Sequence, residues 1–193
     1  MTLIELVMFL VVAGIAVAGV VLVYANTVRY SADPSIRKQM LAVADTMLEE
    51  AASRPFTLCD PDDADARIAG AALVGAGGCA SAVENIGPEA GETRYGSKHP
   101  FDNVNDYAGF DTAAAQPAGI VDRSGTAVAS LAGYRARVSV SAQPLGPSGS
   151  VIMATDGDGA PQVLLITVTV TAPGGDEVSL SGYRTRYAPN AVR

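Results

Sequence analysis

The chain has 193 residues, 13 basic and 20 acidic side chains and a net charge of −7, which leaves room for one modest domain and an accessory segment. The acidic balance argues against a duplex nucleic-acid binder that neutralises phosphates with Lys and Arg. One His and two Cys leave little material for a transition-metal site or a His-based catalytic centre, so no enzyme activity and no catalytic residue is expected.

Residues 6–25 carry no formal charge and are almost wholly apolar. As a helix rising about 1.5 Å per residue they extend about 30 Å, the thickness of a bilayer's hydrocarbon layer. A cleavable secretory signal opens with Lys or Arg and has an apolar core of about 7–15 residues; here the only early charge is Glu5 and the run is longer. A plain membrane anchor matches the length but leaves Glu5 without a partner, and a carboxylate beside an apolar span is costly unless it has one. No basic residue precedes Arg29, so the nearest cation is an α-amino group. Within one chain that amine sits four residues back, at the wrong end of an unfinished turn. In staggered parallel helices the amine of one copy reaches Glu5 of the next. Burial strengthens such a pair while desolvation offsets much of the gain, so its main effect is on register.

The segment Met1-Thr2-Leu3-Ile4-Glu5-Leu6-Val7 resembles the processed N-terminus of the type IV pilins and pseudopilins: an apolar residue, [ST]-L-[IV]-E, then a long apolar helix. Residue 1 is most often Phe in that family, and Met1 departs from this. The resemblance implies that a prepilin peptidase removes a leader ending in Gly, that the new N-terminus is methylated, and that Met1 and Glu5 serve assembly. It also leads to the expectation that numbering starts at the mature terminus. The implied role is a structural subunit of a type IV pilus-like filament. Its partners are further copies of itself in a helical homopolymer, other pilins, and the pilus assembly machinery. It is held in the bacterial inner membrane before assembly and placed in an extracellular or periplasmic filament afterwards. A type II secretion pseudopilin, or a periplasmic enzyme or binding domain tethered by its helix, is the alternative.

Gly14 and Gly19 lie inside the apolar run, where each weakens a helix by about 1 kcal/mol relative to Ala. They serve either close helix contact or the local melting for which the resembling family is known. Asp33-Pro34 reads as an N-cap followed by proline at the first helical position, with Pro34 a further point of flexibility. Ile36, Met40, Val43 and Met47 then recur at helical spacing, widened by Leu41, Ala44 and Leu48, with Arg37, Lys38, Asp45, Glu49 and Glu50 mainly on the opposite side. This segment should end near Ser53, because Pro55 disfavours a helical Arg54.

Residues 56–133 are rich in Gly, Ala, Asp and Pro and show little periodicity, apart from a short helix expected at 64–73. Cys59 and Cys79 enclose nineteen residues there, and in an extracytoplasmic protein such an isolated pair reads as a disulfide. The last third alternates: Tyr134, Ala136, Val138 and Val140 against Arg135, Arg137, Ser139 and Ser141 make a half-buried strand. A second strand is expected over 163–171 and a third over 178–187 after the turn Pro173-Gly174-Gly175-Asp176. A bulge is expected at Gly182, where the alternation changes phase, and a short edge strand over 151–154. The Arg residues of Gly133-Tyr134-Arg135-Ala136-Arg137 and Gly182-Tyr183-Arg184-Thr185-Arg186 should line the solvated sheet face. The expected fold class is α+β, the type IV pilin fold. It comprises a long interrupted N-terminal helix (1–30 hydrophobic, 31–54 amphipathic), a long irregular αβ connection with the disulfide (55–133), and an antiparallel β-meander head (134–193).

Two acidic stretches offer oxygen ligands for calcium. Asp156-Gly157-Asp158-Gly159 lacks the terminal Glu of an EF-hand loop and reads better as a tight turn. In Phe101-Asp102-Asn103-Val104-Asn105-Asp106-Tyr107, Asp102, Asn103, Asn105 and Asp106 either cap their own turns or bind the ion. Together with Gly87-Pro88-Glu89-Ala90-Gly91-Glu92-Thr93-Arg94, that stretch loosely resembles the D-type minor pilins of mannose-sensitive haemagglutinin pilus systems. His99 sits in a polar loop and reads as exposed, with no Ser or Cys nucleophile assignable to it.

Overall fold

A computed structural model describes residues 2–63, 73–115, 117–122, 124–157 and 159–186, with only the backbone described over 26–33. The helix expected over 64–73 falls almost wholly outside these residues. The chain forms two compact units, Met1–Gln39 and Met40–Arg193. Its architecture is α+β: an N-terminal helix α1 (Leu3–Ala52) followed, after two short 3-10 turns at Asn105–Tyr107 and Ala129–Leu131, by strands β1 (Arg135–Ala142), β2 (Val163–Thr171) and β3 (Glu177–Thr185).

In the first unit, the stretch Leu3–Ala25 of α1 is long and apolar enough to cross a membrane, and none of it is buried within the molecule. The interruption expected near 31–34 is absent, because α1 runs through Pro34. Proline there removes a single i→i−4 donor, and the helical turns on either side supply the rest of the ladder. The N-cap assignment at Asp33 is corrected accordingly.

In the second unit, Met40, Val43, Ala44 and Met47 of the expected stripe are buried and Leu48 is half-buried, with Ala51 added to them, whereas Leu41 is exposed and does not widen it; Ile36, in the first unit, is half-buried. The helix ends at Ala52, three residues before Pro55, as the restriction on residues preceding proline requires. The three strands form an antiparallel meander in the order β1-β2-β3. Ala136, Val138 and Val140 of β1 and Leu164, Ile166, Val168 and Val170 of β2 are buried on one face. The other face carries hydroxyl pairs between strands, Thr167 with Ser181 and Thr169 with Ser179, each at 2.9 Å. The outer margin of β1 is closed by residues 109–112: Gly109 and Thr112 N–H donate to the carbonyls of Val138 and Ala136, and Val138 N–H donates to Phe110.

Two expectations for the sheet are corrected. β3 pairs with β2 in unbroken register through Gly182, opposite Ile166, so there is no bulge. At the phase change, a Cβ at position 182 lands 3.4 Å from Leu48 Cδ2 on the helix, so this position faces the helix. That spacing is ordinary van der Waals contact. Gly182→Ala is therefore expected to stabilise the protein slightly, by up to about 1 kcal/mol, and Gly182→Leu to destabilise it by about 1–3 kcal/mol through overpacking, both read by denaturant unfolding. Equal behaviour of the two variants removes Leu48 as the constraint. The edge strand expected over 151–154 is also absent. Ile152 bridges Leu145 within its own loop and leaves Val151, Ile152 and Met153 exposed.

Candidate functional site

At the start of α1, Thr2 and Glu5 occupy the N-cap and N3 positions. Thr2 N–H donates to Glu5 Oε2 at 3.2 Å, and the N–H groups of Glu5 and Leu6 donate to Thr2 O. This is the backbone half of a capping box, the T-x-x-E pattern that satisfies free donors at a helix start. The pattern is readable in Thr2-Leu3-Ile4-Glu5 and escaped the reading above, which sought a cation alone. Met1 lies outside the described residues. Gly14 and Gly19 sit within continuous helix with open space where a Cβ would project, so nothing among the described residues requires their smallness.

Cys59 and Cys79 form the expected disulfide, with Cα atoms 5.3 Å apart, both sulfurs buried with Leu58 and Val83 packed against them. The bond lies beside a short bridge between Cys59 and Val83. It brings residue 84 onto residue 58, where Glu84 N–H donates to Leu58 O at 3.0 Å.

Glu84 begins an acidic cluster within the irregular connection. Gly87 N–H donates to Asn105 O at 3.1 Å, which seats the 84–92 loop on the 102–107 turn. Asp106 Oδ2 accepts the N–H groups of Asp102 and Asn103, at 2.9 and 2.8 Å, and Asn103 Nδ2 donates to Thr57 at 3.0 Å. Glu84, Glu89 and Asp106 each offer a carboxylate oxygen within 4.8 Å of the other two, and Asp106 forms a second such set with Glu92 and Asp102. Burial first, then the charges of Asp106 and Glu89, push the Glu84 carboxyl far above the usual range. Burial followed by the Glu92 carboxyl raises Glu89, and burial followed by the Asp106 charge raises Asp102 to about 6. Burial also raises Asp106, against the hydrogen bond from Asn103 N–H. Of the calcium candidates read from sequence, Asp102 and Asp106 therefore enter a real carboxylate cluster. Its other members, Glu84, Glu89 and Glu92, were missed because isolated acids in an aperiodic loop carry no spacing signal.

The other candidate stretch behaves differently. Asp156 Oδ1 accepts Ala160 N–H at 2.9 Å and Oδ2 accepts Arg186 at 2.5 Å. The carboxylate is thus committed to a turn and an ion pair, and calcium at Asp156 is set aside; Asp158 lies outside the described residues. Among the arginines, Arg135 and Arg137 stand on the exposed face and pair with Asp111 and Glu177. Arg184, opposite Leu164 in the register, turns to the buried face, correcting the expectation for the second motif. His99 is exposed, as read.

A charged network missed by sequence reading anchors the end of α1. Glu50, placed above on the helix's polar side, accepts Arg94 Nε at 2.9 Å, Arg94 Nη2 at 2.6 Å and the Tyr107 hydroxyl at 2.8 Å. The Arg94 guanidinium lies 4.9 Å from the Tyr95 ring centre and 5.7 Å from that of Phe110. Phe101 meets Tyr107 and Phe110 edge-on at 5.2 and 5.9 Å. Burial, then the Glu50 charge, pushes the Tyr107 phenol up to about 12.

Comparison of the chain with protein-family models, curated proteins and solved structures gives no match.

Proposed function

We propose that the chain is a structural subunit of a type IV pilus-like filament, a pilin-fold protein whose N-terminal helices pack in staggered parallel array. In this reading Glu5 of one copy pairs with the N-terminal amine of a neighbour. The observation that carries it is the conjunction, in one helix, of Thr2-Leu3-Ile4-Glu5 with an apolar stretch over Leu3–Ala25 that buries none of its surface within the chain. Leu3, Ile4, Phe9, Leu10, Ile15 and Leu22 are all largely exposed. Each side chain of this size contributes about 1.5–3 kcal/mol on burial, so the segment requires lipid or other helices around it. In this reading lipid surrounds it before assembly and neighbouring subunits surround it afterwards. The bond from Thr2 N–H to Glu5 Oε2 is compatible with the intermolecular pair, since an ionised carboxylate has about four acceptor positions.

The capping role and the pairing role separate experimentally. Gln serves at N3 of a capping box as Glu does, whereas only Glu supplies a charge. Glu5→Gln is expected to leave the chain in the membrane fraction and to lower the yield of sheared fibres, counted by electron microscopy, by at least about tenfold, the loss expected for about 1.4 kcal/mol per added subunit. Normal fibre abundance from that variant refutes the charge pairing. A wild-type chain that enters no fibre in a pilus-assembling host refutes the filament reading and favours a tether.

A further inference from the structure

We propose that Glu84, Glu89 and Asp106 bind a calcium ion that joins the 84–92 loop to the 102–107 turn, with Asp102 and Glu92 at its rim. The inference rests on the second unit alone and does not depend on the filament reading.

The first ground is a one-sided shortage of hydrogen-bond donors. Nine buried side-chain nitrogen and oxygen atoms among the described residues lack a hydrogen-bond partner, and six of them are oxygens of Glu84, Glu89, Asn103, Asn105 and Asp106. Glu84 is 5% exposed and both of its carboxylate oxygens are unpartnered, while Asn105 and Asp106 are each 1% exposed and each leaves one Oδ1 unpartnered. Such a concentration of bare acceptors calls for positive charge. The strongest charges acting on Glu84 belong to Asp106, Glu89 and Glu92, all acidic. Of the guanidinium groups nearby, that of Arg94 is committed to Glu50 and that of Arg186 to Asp156.

Protons alone meet the shortage poorly. A protonated carboxyl supplies one O–H donor, so two shared protons partner at most four of the six atoms and leave the amide oxygens of Asn103 and Asn105 bare. A divalent cation draws several oxygens to one point. The geometry permits it, because oxygens around one calcium ion stand at most about 4.6–5.2 Å apart, twice the usual metal–oxygen distance, and the three carboxylates lie within 4.8 Å of one another. Magnesium demands a near-ideal octahedron and retains several waters, which a buried set of side-chain oxygens does not offer. A set of carboxylate and amide oxygens without His or thiolate disfavours zinc and copper. Of the two other sets, Cys59 with Asp63 and Cys79 is excluded because both sulfurs are spent in the disulfide, and Asp60 and Asp62 with Asp102 contains no buried member.

The fold provides an approach to the site. Glu84 and Asn105 share the wall of a cleft of about 380 Å³ that also takes in Thr57, Ala160 and Arg186, so the site stands directly beside a solvent-open cleft. Once bound, the ion replaces repulsion between two segments that the bond from Gly87 to Asn105 joins.

The test uses the full chain in detergent, stripped with a chelator and titrated with calcium chloride alone by isothermal calorimetry. One site per chain with a Kd at or below about 1 mM is expected, in the range of extracellular calcium modules. Thermal unfolding should rise by about 5 °C or more when calcium exceeds its Kd a hundredfold. Glu84→Gln and, as a milder change at a half-exposed position, Glu89→Gln should each weaken binding at least tenfold, whereas Asp156→Asn should leave it intact. Absence of binding heat together with an unmoved unfolding temperature refutes the proposal. So does unchanged calcium affinity in a folded Glu89→Gln protein, or loss of binding in Asp156→Asn alone.

Discussion

Arg94→Ala is expected to destabilise the second unit by about 3–5 kcal/mol, the cost of leaving a buried charge without its partner. The side chains of Arg94 and Glu50 are only 6% and 12% exposed, so water cannot take over from the guanidinium. The planar fork engages both Glu50 oxygens, which a lysine ammonium cannot reproduce, and Arg94→Lys should recover little. Burial alone raises the Glu50 carboxyl; the Arg94 hydrogen bonds and charge, helped by the Tyr107 hydroxyl, outweigh it and hold the group below its ordinary 4.5. A depressed folded-state value means that this contribution is fully present above about pH 4.5 and is lost as pH falls through the folded value. In Arg94→Ala the burial effect is unopposed and the sign reverses, so that protonating Glu50 then favours the folded state. Arg94→Met combined with Glu50→Gln, which keeps an acceptor for Tyr107, should recover most of the loss. Denaturant unfolding of the full chain in detergent, followed through its tyrosine near-ultraviolet dichroism between pH 3 and 7, reads all of these. A loss below about 1 kcal/mol in Arg94→Ala, within the range of solvent-exposed pairs, counts against the network as the anchor of the helix end.

The second large effect belongs to the disulfide. Replacing Cys59 and Cys79 together by Ala is expected to cost about 3 kcal/mol, the closure entropy of a loop whose ends are 20 positions apart. Replacing both by Ser should cost more, because two hydroxyls then sit in a pocket with Leu58 and Val83 where the sulfurs are fully enclosed. The Cys59–Val83 bridge and the bond from Glu84 N–H to Leu58 run alongside the covalent link, so its loss should also weaken calcium binding at Glu84. Equal unfolding midpoints for the oxidised wild type and the double-Ala variant contradict the closure argument.

Much of the regular structure is legible without coordinates, for definite reasons. β2 has the limits read from its alternation because one face of an antiparallel strand must be apolar. The buried run from Met40 to Ala51 follows from helical spacing, and the disulfide from two cysteines with no other use. What is not legible depends on distance along the chain. Glu50 and Arg94 stand 44 positions apart, and neither occupies an apolar stripe. Glu84, Glu89 and Asp106 converge only after the disulfide and the Gly87–Asn105 bond have folded an aperiodic stretch. The phase change at Gly182 suggests a bulge, whereas the register is unbroken and the position faces Leu48. Proline 34 was read as a boundary although a helix with intact turns on both sides absorbs one missing donor.

The closed margin of the sheet has a consequence for crowding. Residues 109–112 already occupy the outward backbone groups of Ala136 and Val138 in β1, so a foreign strand finds its longer margin beside β3. There it would have to cover Arg184, whose side chain faces the same side as Leu164 and whose Nε is buried without an acceptor. Burying a cation further at an open margin is a recognised deterrent to cross-pairing between molecules.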